Sequence, residues 1–305
     1  MTAPKVSIIT TNKNGAKFLR ETIDSIVVQD FTDYEHIIID SESTDGSIEI
    51  MKEYPHLRWV SEPDESINDG FRKGFAMARG KYVMVMCVSD KYISNTWVSR
   101  CVEILESDEE VSLVWGSALY MTESGDIDGV WFPWWLENEP LQKKDFFYFW
   151  LATAAYLPEL NYCVRRDVYM KCYPPKVLGD YMTEENPFLM MVFYFNVYGY
   201  LPYYLRMIGH AGRIHEGQSS QRLSNMVDTS GKIYRKLVTG YALDLLIGRQ
   251  KHYFRDGSSH IIGELSLLQR IFLPVTIAWA WLCFITIRVV NVGRIKKALT
   301  SKMKL

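Results

Sequence analysis

The chain has 305 residues, 48% of them hydrophobic and 23% charged, with a formal net charge of -2. That balance allows one large domain or a domain with an appendage, and it excludes a general nucleic-acid binder, which needs a clear excess of Lys and Arg. Five cysteines, Cys87, Cys101, Cys163, Cys172 and Cys283, form no CxxC pair and are odd in number, which argues against a disulfide framework or zinc ribbon and for a reducing, cytosol-facing setting.

The opening MTAPKVSIITT lacks the basic segment and long apolar core of a secretory signal, so folding is expected to start at residue 5. Residues 5–11 (KVSIITT) read as a first strand closed by the turn residues Asn12, Lys13, Asn14 and Gly15. Phe18, Leu19, Ile23, Ile26 and Val27 then recur at helical spacing. A second apolar run, 36–39, ends at Asp40 and is followed by the polar stretch 41–46 and a helix over 47–54. Residues 57–61 and a helix over 67–78 repeat the pattern. The run 81–87 (KYVMVMC) is a fourth strand, leaving the sheet at Ser89-Asp90. A helix over 97–105 and a strand over 111–115 follow.

Strands alternating with helices predict βαβ units around a mainly parallel sheet. Neither GxGxxG nor GxxxxGK[ST] occurs, which removes the main support for dinucleotide or P-loop binding. The strand ends offer carboxylates instead: Asp40, Asp64, Asp69 and Asp90. Carboxylates gathered at one sheet edge suit a divalent cation, a ribose diol or a base edge. Asp45 reads as a turn or helix-capping residue, and Asp64 admits the same role. Asp40 and Asp90 each end a fully buried strand, which favours function.

Four stretches carry a resemblance: 6–26 (VSIITTNKNGAKFLRETIDSI), 37–47 (IIIDSESTDGS), 61–80 (SEPDESINDGFRKGFAMARG) and 81–90. Together they resemble family 2 glycosyltransferases of the GT-A fold, over residues 5–220. The resemblance implies a Rossmann-like α/β domain over 1–220, with a donor half over 1–115 and an acceptor half over 116–220; the remainder, 221–305, reads from its own residues as a helical C-terminal region. It also implies an inverting transfer from a nucleotide-diphosphate sugar, UDP-sugar favoured, in surface polysaccharide synthesis, usually with Mg or Mn on a DxD-type motif. By position, Thr10 and Asn14 fall in the first donor loop and Asp40 matches the acid that holds the base. Asp69, Arg72 and Lys73 fall near ribose and diphosphate, and Ser89-Asp90 matches the metal motif.

At that motif the chain reads Val88-Ser89-Asp90-Lys91, where family members commonly carry two or three acids. A diphosphate leaving group needs positive charge as the glycosidic bond breaks. Asp90 with His215, from the segment RIHEGQSS, is the favoured metal pair; Lys91 or Arg213 as fixed charge is the alternative. For the general base, Glu185 is the first choice, Glu184 the second and Asp180 the third. Both glutamates also suit a first helical turn, complementing the helix dipole. The aromatic cluster 131–135 (WFPWW) fits sugar stacking, a hydrophobic docking surface or core packing.

Residues 223–250 read as an amphipathic helix broken at Gly231. The run 271–287 carries no charge and is marginal for a spanning helix, which needs about 20 residues; extended through Arg288 to Val292 it would reach that length with one arginine inside. Arg288, Arg294, Lys296, Lys297, Lys302 and Lys304 lie after it and Trp279 and Trp281 within it. That pattern points to peripheral or monotopic attachment of 271–305 at the cytoplasmic side of a membrane, with a glycan or polyprenyl-linked acceptor. Packing on the catalytic domain or on a second copy, a homo-oligomer, is the other reading. Two further function classes stay open: a nucleotide-sugar-binding scaffold without turnover, motivated by the thinned metal motif, and a nucleotidyltransferase, whose usual glycine-rich basic loop is missing from 10–15.

Overall fold

A computed structural model describes residues 3–130, 142–155, 157, 161–173, 187–216 and 224–282. Its first half follows the strand–helix alternation. β1 (Val6–Asn12), α1 (Ala16–Val27), β2 (Tyr34–Asp40), α2 (Ser47–Lys52), β3 (Leu57–Ser61), α3 (Ile67–Met77) and β4 (Tyr82–Cys87) succeed one another. β1 is buried along its whole length, as expected of a strand covered by helices on both faces. On one face, α3 comes close to the sheet because residue 74 is glycine: a Cβ there would stand 2.3 Å from Ile9 Cγ2.

The second half contains more strand than the sequence pattern predicts. After β5 (Lys91–Tyr92) and α4 (Trp97–Ser107) come β6 (Val111–Met121), β7 (Ile127–Val130), α5 (Lys144–Thr153), β8 (Tyr162–Arg165), α6 (Arg166–Cys172), α7 (Pro187–Val197) and β9 (Leu201–Arg213). The sheet order is β3-β2-β1-β4-β8-β6-β9-β5, with β7 on β6. β1 to β4 run parallel, β8 lies antiparallel to β4 and β6, β6 and β9 are parallel, and β5 is antiparallel to β9.

Two expectations about the C-terminal region need correction. α8 (Ser224–Leu246) runs unbroken through Gly231: the cost of a helical glycine, roughly 1 kcal/mol, is outweighed by burial of Tyr234, Val238, Tyr241 and Leu245. The region is also not purely helical, since β10 (Tyr253–Arg255) and β11 (Ile261–Glu264) form a hairpin before the helix over 267–282, α9. These parts share the main core. Tyr234, Val238, Tyr241, Leu245 and Leu273 join the same buried cluster as Ile9, Val83 and Leu113, and Trp150 donates to the Tyr234 hydroxyl at 2.8 Å. Cys87, Cys101, Cys163 and Cys172 are free thiols.

Candidate functional site

The carboxyl ends of β1, β2 and β3 are level, with Asn12 opposite Asp40 and Asp40 opposite Ser61. Asp40 is fully buried, and four donors converge on it. Oδ1 accepts from Asn12 Nδ2 at 2.6 Å and Ser43 Oγ at 2.5 Å; Oδ2 accepts from Ser43 N at 3.0 Å and Ser61 Oγ at 2.6 Å. A carboxylate has about four lone-pair positions, so gripping a base would require Asp40 to release one of these partners. As it stands, Asp40 ties three strand ends to the 41–46 loop. Asn14, left-handed at φ 51, joins the same knot: its N–H donates to Ser43 Oγ at 2.8 Å and its Oδ1 accepts from Thr44 N at 2.9 Å.

Asp45 holds helix starts, as its position suggested. It accepts from Ala16 N at 2.8 Å, Ser47 N at 3.1 Å and Ser47 Oγ at 2.6 Å. Burial raises its pKa, and those hydrogen bonds more than reverse the effect, so the net shift is downward. Thr10 faces away from this edge. Strand alternation turns it into the core, where its hydroxyl lies 2.9 Å from Nε2 of buried His36.

Below the edge, Ser66 caps α3 by accepting from Asp69 N. Asp69 and Lys73 lie 3.3 Å apart, and the Lys73 ammonium also reaches Asp64 at 2.7 Å, Glu62 at 3.2 Å and the Pro63 carbonyl at 2.6 Å. The Asp64 hydrogen bond is the main reason its pKa is raised. Arg72 lies one residue away, its guanidinium 6.0 Å from the Tyr173 ring. Asp64 therefore anchors a lysine rather than capping the helix.

Asp90 stands where β4 leaves the sheet, and the two-residue β5 fixes it against β9. Lys91 pairs with Ala211 and Tyr92 with His210. Asp90 is 5% exposed; its Oδ1 accepts from Arg213 N at 3.0 Å, and Oδ2 lies 3.3 Å from His210 Nε2. The Thr22 hydroxyl donates to the Asp90 carbonyl at 2.8 Å and accepts from Ser89 N at 3.2 Å. Ser89 itself has φ 95, a backbone region that side-chain-bearing residues rarely adopt. The loop after β1 comes in tightly here, because a Cβ on Gly15 would stand 2.6 Å from the Val88 side chain.

Arg213 ends a thirteen-residue strand rather than lying in a loop, and it is 2% exposed. Its guanidinium donates to the carbonyls of Ser89 at 2.9 Å, Glu123 at 2.8 Å and Thr122 at 3.3 Å, and to the Glu21 carboxylate. It also lies over the Phe18 ring at 4.8 Å. Lys91 is paired with Glu21 at 2.5 Å. The two proposed fixed charges are thus engaged by the protein itself. The His215 ring is 5.0 Å from Phe18 and its Nδ1 lies 2.9 Å from the Glu216 carbonyl. The histidine touching Asp90 is His210, which the sequence reading missed.

Among the described residues no three His, Cys, Asp or Glu side chains gather to hold a metal ion. Asp90 alone supplies a carboxylate at the motif. Magnesium commonly takes one or two protein carboxylates and fills its shell from substrate phosphates and water. The donor set therefore fits an ion delivered with a diphosphate and does not fit one caged by protein alone. Glu184, Glu185, Asp180, the 131–135 cluster and 217–220 lie outside the described residues.

The profile of Glycosyl transferase family 2 matches residues 7–161. The chain belongs to that family. An uncharacterised glycosyltransferase of Mycobacterium tuberculosis is 32% identical over 117 residues, covering 37% of this chain and 45% of the relative. The matched stretch thus spans under half of that relative's length. Among solved structures, S. aureus TarS 1-349 in complex with UDP-GlcNAc superposes with a TM-score of 0.55 at 17% identity, covering 79% of this chain and 66% of that one. The mannosyltransferase PcManGT of Pyrobaculum calidifontis, solved with GDP-Man and Mn2+, gives 0.51 at 15% identity over 100% of this chain and 80% of that one. At these identities the likeness shows the fold, which is GT-A.

Proposed function

We propose that this family 2 protein is an inverting glycosyltransferase that moves a sugar from a nucleotide-diphosphate donor onto a glycan or polyprenyl-linked glycan in surface polysaccharide synthesis. A UDP-sugar is the favoured donor. The observation carrying the reading is the clamped Asp90: strand β9 holds its carboxylate through the Arg213 N–H and lays His210 beside it at the sheet's carboxyl edge, where open α/β sheets bind ligands. Neighbouring Ser89, at φ 95, holds the backbone in a rarely adopted conformation of the kind that clusters at ligand sites. The bound complexes of TarS with UDP-GlcNAc and of PcManGT with GDP-Man and Mn2+ support nucleotide-sugar use.

On this reading Asp90, together with the donor's diphosphate, would hold Mg or Mn, which would supply positive charge to the leaving group. The residues of the chain do the rest. Asn12, Asn14, Ser43 and Asp40 fix the donor loops, and the Asp69–Lys73 turn flanks the diphosphate. Glu185, with Glu184 second, takes the acceptor's proton as the new bond forms. A nucleotide-release assay across UDP- and GDP-sugars, with Mn or with EDTA, tests this: release from one donor, lost in EDTA, is expected. Tight nucleotide binding without release from any donor would favour the second reading, a nucleotide-sugar-binding scaffold. Asp90 being the motif's only carboxylate is the observation behind that alternative.

A further inference from the structure

α9 exposes its apolar side. Leu268, Ile271, Phe272, Val275, Trp279 and Leu282 recur at spacings of three, four and seven, and each is more than half exposed, Phe272 at 58% and Trp279 at 67%. The opposite face buries Leu273 at 1% exposure and packs Ile277 against the core. A surface helix normally turns polar residues outward, so this helix is apolar on both sides. The stripe continues onto neighbouring surface, where Leu243 of α8 is 54% exposed and Ile247, just beyond it, 58%. Between α8 and α9 lies a groove of about 530 Å³, floored by Leu273 and Ala242 and rimmed by Leu246 and Trp281. Contiguous apolar surface of this kind marks a protein or membrane contact.

Charge decides between those. From residue 265 to the end there is no acidic side chain, while Arg270, Arg288, Arg294, Lys296, Lys297, Lys302 and Lys304 are basic, in a chain whose net charge is -2. A second copy would bring the same cations against these and gain nothing from them. Anionic lipid headgroups are attracted by each. Among the described residues no helix is long and apolar enough to cross a membrane, and α9 lies along the domain, with Leu273 and Ile277 packed on the core and the stripe turned outward. Trp279 on the outward stripe and the half-exposed Trp281 on the groove rim suit the headgroup boundary.

We infer that α9 docks edge-on into the surface of an anionic membrane, its outward stripe entering the acyl boundary, with the positive charge of the sequence from residue 265 onward favouring anionic headgroups. This does not depend on the donor-site reading: a chain inactive in transfer would dock equally.

Flotation of the full chain with vesicles tests it. The wild type is expected to float with phosphatidylcholine vesicles containing phosphatidylglycerol, weakly with pure phosphatidylcholine, and less in high salt. Phe272→Glu and Trp279→Glu replace exposed side chains, so the fold is retained in circular dichroism while binding falls by about tenfold or more. Lys296→Glu with Lys297→Glu weakens binding to anionic vesicles only. A wild type that stays at the bottom with anionic vesicles overturns the inference. So does a vesicle-free dimer that Phe272→Glu returns to monomer, because the stripe would then be covered by a second copy.

Discussion

Arg213→Lys separates charge from geometry at the centre of the site. The guanidinium reaches three carbonyls, of Ser89, Thr122 and Glu123, and the Glu21 carboxylate, all from a side chain 2% exposed. These acceptors come from three segments: the turn after β4, the turn after β6, and α1. An ammonium donates from a single point and lacks the planar fork, so at least two of the four bonds are lost. Hydrogen bonds from a charged donor contribute roughly 1.5–3 kcal/mol each, which puts the loss at about 3–6 kcal/mol and the fall in Tm at roughly 5–10 °C for a chain of this length. Function should suffer further at temperatures where the variant is folded. Arg213 Nε is a partner of the Ser89 carbonyl beside the φ 95 peptide, and loosening that turn moves Asp90. A displacement near 1 Å costs on the order of 10²-fold in rate. Thermal unfolding by circular dichroism and single-donor transfer at low temperature read the two effects. A lysine variant that melts within about 2 °C of wild type and transfers at the wild-type rate would refute this account of Arg213.

His210→Gln removes the ring beside Asp90 Oδ2; because His210 positions Asp90, kcat should fall by about tenfold with KM for the donor little changed, whereas a mere packing role would lower Tm and leave kcat of the folded fraction intact. Glu185→Gln should abolish transfer while nucleotide affinity, measured by calorimetry, is kept; loss only in Glu184→Gln would move the base by one residue. Acid sensitivity follows from two buried histidines. Burial, aided by the nearby His56 for His36 and Arg255 for His252, pushes both pKa values down to about 3. Unfolded histidine titrates near about 6.5, so each contributes stability in full above that pH and loses it as pH falls toward 3, by up to about 1.4 kcal/mol per unit. Urea midpoints at successively lower pH should therefore fall steadily, and a flat profile between neutral pH and 4.5 would contradict the assignment.

β1 to β4 could be read from sequence because each is an apolar run ending in a polar residue, and burial on both faces enforces that composition. β5 and β9 could not. Two residues, Lys91–Tyr92, carry no period, and β9 interrupts its apolar residues with Arg206, Gly209 and His210, so pairing with β6 and β5 sets its strand character. The identity of Asp90 as a strand-exit acid was legible; its partner histidine was not, because β9 places His210, rather than His215 five residues on, beside it. Asp40 and Arg213 show the same limit in another form. Both types suggested ligand contact, yet their bonding capacity is taken up by Ser43, Ser61 and Asn12 in one case and by backbone carbonyls in the other. Partners drawn from separate loops leave no spacing signal. Gly231 failed as a helix breaker for a related reason: tertiary burial of α8 exceeds the local propensity cost.

On the proposed function, Asp90 serves the donor's diphosphate. Asp90→Asn keeps an oxygen for the Arg213 N–H and the shape of the turn, and removes the charge. Transfer of the sugar at saturating donor and Mn, measured beside the melting curve, is the direct test. Transfer is expected to fall by about 10²-fold or more with the fold intact; wild-type transfer by a folded Asp90→Asn protein would rule out that role for Asp90.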